Sequence, residues 1–161
     1  MALSEFRIIQ DYFTDLDLGC AHVVQGVGDD CALLASPKPG YQLALSTDTL
    51  LDGVHFPGQA TADAIAQRVL AVNLSDLNAM GAEPLAFTMA ITLPTADSRW
   101  LADFARGLGQ QALAYNIPLV GGDTTRGPLT ISVHIVGQVP QDQALLRNGA
   151  SVGDSIYVSG T

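Results

Sequence analysis

The chain has 161 residues, 48% of them hydrophobic, which is enough for one substantial core and demands no second. A formal charge of -9, sixteen acidic residues against seven Lys and Arg, excludes a surface built to hold nucleic acid or an anionic membrane. The longest apolar stretch, Leu85 to Leu93, is interrupted by Thr and bounded by Pro84 and Pro94, far short of the roughly 20 residues that cross a bilayer; no basic-then-apolar start marks a secretory signal, so the cytoplasm is expected.

In chain order, Ser4 is placed to cap a short docking helix with Phe6, Ile9 and Phe13 at helical spacing. Val23 and Val24 lead into Gly26-Val27-Gly28-Asp29-Asp30, Cys31 to Leu34 read as a short strand, Pro37 to Gly40 as a turn, and Tyr41 to Thr47 as a strand ending in Ser46-Thr47-Asp48-Thr49. Two adjacent strands are thus expected to carry aspartate at one end. Thr61 to Met80 predicts a long helix, with Thr61 as N-cap and Gly81 as its stop. Ile65, Val69, Val72 and Asp76 share a face, which sets Asp76 on or beside the buried stripe. Asn73, Ser75 and Asn78 are weak helix formers in mid-helix, a local conflict of the kind that marks functional positions.

Pro84 to Leu93 predicts a strand, Asp97 to Asn116 an amphipathic helix, and Ile117 to Val120 a short buried strand running into Gly121-Gly122-Asp123. Leu129 to Val139 alternates, with Ile131, Val133 and Ile135 on one face and Thr130, Ser132 and His134 on the other. Arg147-Asn148-Gly149-Ala150 reads as a turn and Ser155 to Ser159 as a last strand. The order gives an α+β fold, a mixed or antiparallel sheet flanked by helices. An apolar strand at the end with nothing to cover it suggests a fragment, with residues 1–150 forming an N-terminal domain and 151–161 the start of a second domain that is absent.

Fourteen of the sixteen acidic residues are aspartate, and the chain has a single lysine, Lys38. Glu and Lys are the usual surface residues, whereas short carboxylates flanked by hydroxyls and open backbone suit a hard cation such as Mg²⁺. A Walker loop is absent, and Gly26-Val27-Gly28 continues with Asp-Asp-Cys, so the dinucleotide fingerprint fails as well. What remains matches enzymes in which metal ions neutralise a polyphosphate and align the transferred group. Each motif also has an ordinary reading: a Gly-Asp turn at Asp29-Asp30, a cap at Asp48, a turn at Asp52-Gly53, a structural loop histidine at His55 that could also touch a ligand. Gly121-Gly122-Asp123-Thr124-Thr125-Arg126 joins glycines whose N–H groups can approach phosphate to a carboxylate and an arginine. His22 and His134 read as surface or packed residues, Cys20 and Cys31 as reduced, packed thiols.

Taken jointly and in this order, Gly28-Asp29-Asp30-Cys31-Ala32, the stretch Ser46 to Phe56, the stretch Asn73 to Pro84, and Gly121 to Arg126 resemble the N-terminal domain of thiamine-monophosphate kinase. That family belongs to the superfamily of aminoimidazole ribonucleotide synthetase and selenophosphate synthetase, and the resemblance continues through Arg147-Asn148-Gly149-Ala150 and Gly153-Asp154. It implies an ATP- and Mg-binding N-terminal domain whose sheet joins its partner's in a barrel-like homodimer. It further implies Mg²⁺ ligands at Asp30, Ser46, Thr47, Asp48, Asp76 and Asp123, ATP contacts at Gly122, Asp123 and Arg147, and a thiamine-phosphate contact at His55. The implied reaction is ATP-dependent phosphorylation of thiamine monophosphate to thiamine diphosphate by direct in-line transfer, with no side-chain nucleophile; further ligands would belong to the absent domain, and the fragment alone would be inactive. A selenophosphate synthetase would show a reactive Cys with a nearby Lys early in the chain, and Lys38 is in no such motif. A non-catalytic module that dimerises and binds metal or nucleotide is the alternative from another class.

Overall fold

The computed structural model describes residues 4–28 and 31–158. Their elements follow in the order α1 (Glu5–Ile8), β1 (Val23–Gln25), β2 (Leu33–Leu34), β3 (Tyr41–Leu51), α2 (Ala62–Ala79), β4 (Glu83–Leu93), α3 (Ser98–Ala114), β5 (Leu119–Arg126) and β6 (Thr130–Pro140). A π-helical turn, Ile9–Phe13, and a 3-10 turn, Thr14–Asp17, prolong α1. β1 and β2 pair with each other, and the remaining strands form one sheet in the order β3-β6-β4-β5. All its pairs are antiparallel except β4 with β5, whose parallel pairing requires a crossover, here α3. The fold is α+β with a mixed sheet, as expected.

Period-two alternation sorts the sheet into two faces. Ile131, Val133 and Ile135 of β6 and Phe87, Met89 and Ile91 of β4 are buried in one core with Ile65, Ala66, Val69, Leu70 and Leu77 of α2. Each such large side chain contributes roughly 1.5–3 kcal/mol relative to exposure. Behind α2 lies α3, and the two helices cross closely because Gly107 has no side chain: a Cβ there would sit 2.7 Å from the Asp63 Cα. The other face of the sheet carries exposed Leu43, Leu45 and Leu51 beside the cross-strand pairs Thr47–His134 and Thr49–Ser132.

Several local expectations are corrected. β3 runs on to Leu51, because all eleven of its residues pair with β6, so Ser46-Thr47-Asp48-Thr49 lies inside the strand and not at its end. β2 and β3 lie in different sheets and are not neighbours. β5 likewise takes in the whole Gly121 to Arg126 motif, since β4 is there to pair with it. Phe6 is 82% exposed; Ile8 and Phe13 take the buried positions, the wider π turn at Ile9 having shifted the phase of the helix. Thr61 occupies the N-cap of α2 without a side-chain bond, whereas Ser4 and Asp97 accept from the N–H groups of Arg7 and Trp100. Residues 155–158 form no strand, and Ile156, Tyr157 and Val158 stand exposed. Cys31 is exposed rather than packed, while Cys20 is half-buried with its Sγ 3.8 Å from Asn116 Oδ1. Among the described residues, no helix is long and apolar enough to cross a membrane. Asp29, Asp30 and Ser159 fall outside the described residues.

Candidate functional site

The conflict between sequence and helix in mid-α2 resolves into a bracket. Asn73 is fully buried; its Nδ2 donates to the Val69 carbonyl at 2.9 Å, and its Oδ1 accepts from the Asp48 N–H of β3 at 3.2 Å. A buried amide satisfied on both sides ties the helix to the edge strand at one fixed height. Three residues further along α2, Asp76 Oδ2 accepts from Ser46 Oγ at 2.5 Å. Alternation puts Ser46 and Asp48 on the same face of β3, so Ser46, Asp48 and Asp76 form one group of oxygen donors. Thr47 points the other way and shares a 2.6 Å hydrogen bond with His134 Nδ1 on the open face.

The glycine motif is used differently. Register slips between Phe87 and Thr88, so that Leu119 faces Phe87 while Gly121 faces Thr88, leaving Val120 as a bulge. Gly122 is then pressed against β4: a Cβ there would fall 1.9 Å from the Met89 carbonyl oxygen, at a φ of +153° that favours glycine. Asp123 is exposed and alternates with buried Thr124, in line with Ala90, Ser132 and Thr49 across the sheet. It therefore sits on the open face, three strand spacings from β3, roughly 14 Å at about 4.8 Å per strand.

β5 is an edge strand, and along it opens a cavity of about 640 Å³. One side is lined by Gly121, Gly122, Asp123 and Thr124, with Gly28 and Cys31, the residues flanking Asp29-Asp30; the other by Phe6, Ile9, Phe13 and Val27. The structure thus brings Gly122 and Asp123 beside the Gly28–Cys31 segment, and Ser46 and Asp48 beside Asp76, but it does not bring the two groups together. Among the described residues no three His, Cys, Asp or Glu side chains are gathered to hold a metal ion.

His55 follows the end of β3 in a tight turn. Its Nδ1 accepts from the Leu51 N–H at 3.1 Å and its own N–H donates to the Leu51 carbonyl at 3.0 Å, so the ring proton resides on Nε2. Arg147 lies in the expected turn, just after Leu145, whose N–H donates to the Met80 carbonyl at the end of α2. Ion pairs among the described residues join Arg7 to Asp11, Lys38 to Glu83 and Arg106 to Asp103, so Arg126 and Arg147 are left without one. Sequence reasoning flagged Asn73 as a misfit without its role, and it read Phe6 as core; nothing in the spacing announces a π turn.

Three comparisons place the chain among known proteins. A family model described as AIR synthase related protein, N-terminal domain, matches residues 28–139. The thiamine-monophosphate kinase of Escherichia coli (strain K12) is 48% identical over 161 residues, covering 100% of this chain and 49% of that protein. The crystal structure of thiamine-monophosphate kinase from Stenotrophomonas maltophilia K279a superimposes with a TM-score of 0.78 at 46% identity, covering 89% of this chain and 45% of that one. A structure described as AaThiL complexed with AMPPCP and TMP follows at a TM-score of 0.72 and 31% identity, covering 78% of this chain and 41% of its own. The chain spans about half the length of the curated relatives it matches.

Proposed function

This chain belongs to the AIR synthase related family, as its N-terminal domain, and on that premise we propose that the protein phosphorylates thiamine monophosphate to thiamine diphosphate with ATP. The observation that carries the reading is likeness to thiamine-monophosphate kinases along the entire chain, including every motif at which oxygen donors are grouped. An oxygen-only donor set of Ser46, Asp48 and Asp76 fits a hard divalent cation, and we take Mg²⁺ as the cofactor. Asp30 and Asp123 at the β5 edge would complete the set, with Thr47 limited to its main chain because its side chain faces the other way. Bound metal would neutralise polyphosphate charge and hold the attacking and leaving oxygens in line.

In the proposed step a substrate phosphate oxygen forms the new bond to the γ-phosphorus while the bond to the β,γ-bridging oxygen breaks, leaving ADP. The attacking phosphate is already anionic near neutrality, so no side chain has to remove a proton; the work left to the protein is alignment. Gly122 offers backbone without a side chain in the way, Arg147 a free guanidinium for the nucleotide phosphates, and His55 an Nε2–H donor for the substrate phosphate.

The reading includes a homodimer in the cytoplasm. Two features support the dimer: the sheet has an open face bearing Leu43, Leu45 and Leu51, and the two donor groups are roughly 14 Å apart by strand spacing, too far for one metal cluster. A second copy whose β5 edge meets this β3 edge would unite them. The test is thiamine diphosphate formation by the intact protein with ATP and Mg²⁺. Asp48→Asn and Asp123→Asn are each expected to abolish it, and mixed Asp48→Asn and Asp123→Asn subunits to regain activity, because one site of each heterodimer would be wild type. Silence of the mixture alone removes the shared site; wild-type turnover in either variant removes that residue; no turnover by the wild-type protein removes the kinase.

A further inference from the structure

Phe6 is the one large aromatic residue of the N-terminal helical segment that is left in solvent, 82% exposed on a first turn fixed by the Ser4 cap. Such exposure is costly without a use. Phe6 is nevertheless not isolated, for it forms the rim of the 640 Å³ cavity whose apolar side continues through Ile9, Phe13 and Val27. Ile9 and Phe13 bound the π-helical turn, a distortion found mostly at functional sites. Facing them across the cavity are Gly122 and Asp123, the polar end. Between the two ends runs the free edge of β5, whose outward N–H and C=O groups have no strand partner among the described residues.

A cavity with one carboxylate- and glycine-lined end, one apolar aromatic end and an unpaired strand edge between them fits a ligand that is anionic at one end and a flat heterocycle at the other. Its volume lies within the range of small-molecule sites. We propose that this cavity seats the nucleotide with its purine stacked on Phe6 against Ile9 and Val27, and that Phe6 is the residue that favours a base-bearing triphosphate over a bare polyphosphate. The inference rests on the ATP-using reading of the protein and adds to it the seat of the base. Stacking on an aromatic side chain tolerates any base, because every base has a π-face; discrimination among bases falls to the β5 edge.

The experiment is calorimetric titration of the intact protein, with Mg²⁺, by a non-hydrolysable ATP analogue and separately by tripolyphosphate. Phe6→Ala is expected to weaken analogue binding by about tenfold or more, the range of an aromatic–base stack, and to leave tripolyphosphate binding where it was. Phe6→Trp should restore the analogue affinity. Equal analogue affinity in wild type and Phe6→Ala overturns the seat while the kinase reading stands, and so does an equal loss for tripolyphosphate, which would mean that Phe6 shapes the whole cavity. Failure of the wild-type protein to bind the analogue at all overturns the ATP-using reading and the seat with it. The substitution removes an exposed ring from a capped turn, so folding is not the limiting question.

Discussion

The two edges of the sheet are built by opposite means. At β3 the chemistry sits on side chains, Ser46, Asp48 and Asp76, and its geometry is fixed by other side chains, chiefly the buried Asn73 that joins strand to helix. At β5 it sits on the main chain: a bulge, a glycine pressed against the neighbouring strand, and an unpaired edge facing a cavity. Side-chain sites fail when a ligand is removed, and the frame survives. Backbone sites fail when anything is added, and the frame goes with them.

Gly122→Ala therefore carries the largest expected effect. Its Cβ would lie 1.9 Å from the Met89 carbonyl oxygen, an overlap no rotamer relieves, so β4 and β5 must separate. A loss of about 3 kcal/mol or more in urea unfolding is expected, at the upper end for single substitutions. Asp123→Asn, one residue on and exposed, should leave the unfolding curve within about 0.5 kcal/mol of wild type. If the two variants unfold alike, the contrast between backbone and side chain at this edge is wrong.

Asn73→Ala tests the other edge and should cost less, about 1–3 kcal/mol, the penalty of leaving a buried polar group unpaired. The Asp48 N–H would lose its acceptor and α2 its anchor on β3, so thiamine diphosphate formation should fall further than stability alone explains at a temperature where the variant is fully folded. Activity unchanged in folded Asn73→Ala would show that Asp48 is positioned by β6 pairing alone.

Much of this was legible beforehand, for identifiable reasons. The faces of β6 followed from strict alternation at Ile131, Val133 and Ile135, and α2 from its length and the Gly81 stop, where φ is +68°. Asn73 was visible as a violation of helix propensity, because the fold uses it against its local preference. Strand ends were not legible: β3 continues through Asp48 and β5 through Asp123 because partners elsewhere in the chain supply hydrogen bonds that local composition does not encode. Nor was the separation of Asp123 from Asp48 and Asp76, since strand order β3-β6-β4-β5 is a tertiary property. Four aspartates in the right sequence order suggested one cluster; two strands between the edges make it two.

The smallest effect belongs to a contact that serves neither edge and so sets the baseline for both. At the start of β4, Glu83 Oε2 accepts from Lys38 Nζ at 2.9 Å and from Gln138 Nε2 at 3.0 Å. The hydrogen bond from Lys38, and then that from Gln138, hold the Glu83 carboxyl below its ordinary value of 4.5. A carboxylate with a lowered folded pKa contributes stability that is present above its unfolded value and lost as pH falls through the folded one. The pair is more than half exposed, so solvent screening limits the contribution to about 0.5 kcal/mol. Urea unfolding of wild type and Glu83→Gln should therefore differ by that amount at pH 7 and converge below pH about 4.5, the unfolded reference. A gap that persists at pH 3 would assign the loss to packing over Gln138 rather than to charge, and a gap of several kcal/mol would make this clamp, not Asn73, the anchor that fixes β3 and β4 against β6.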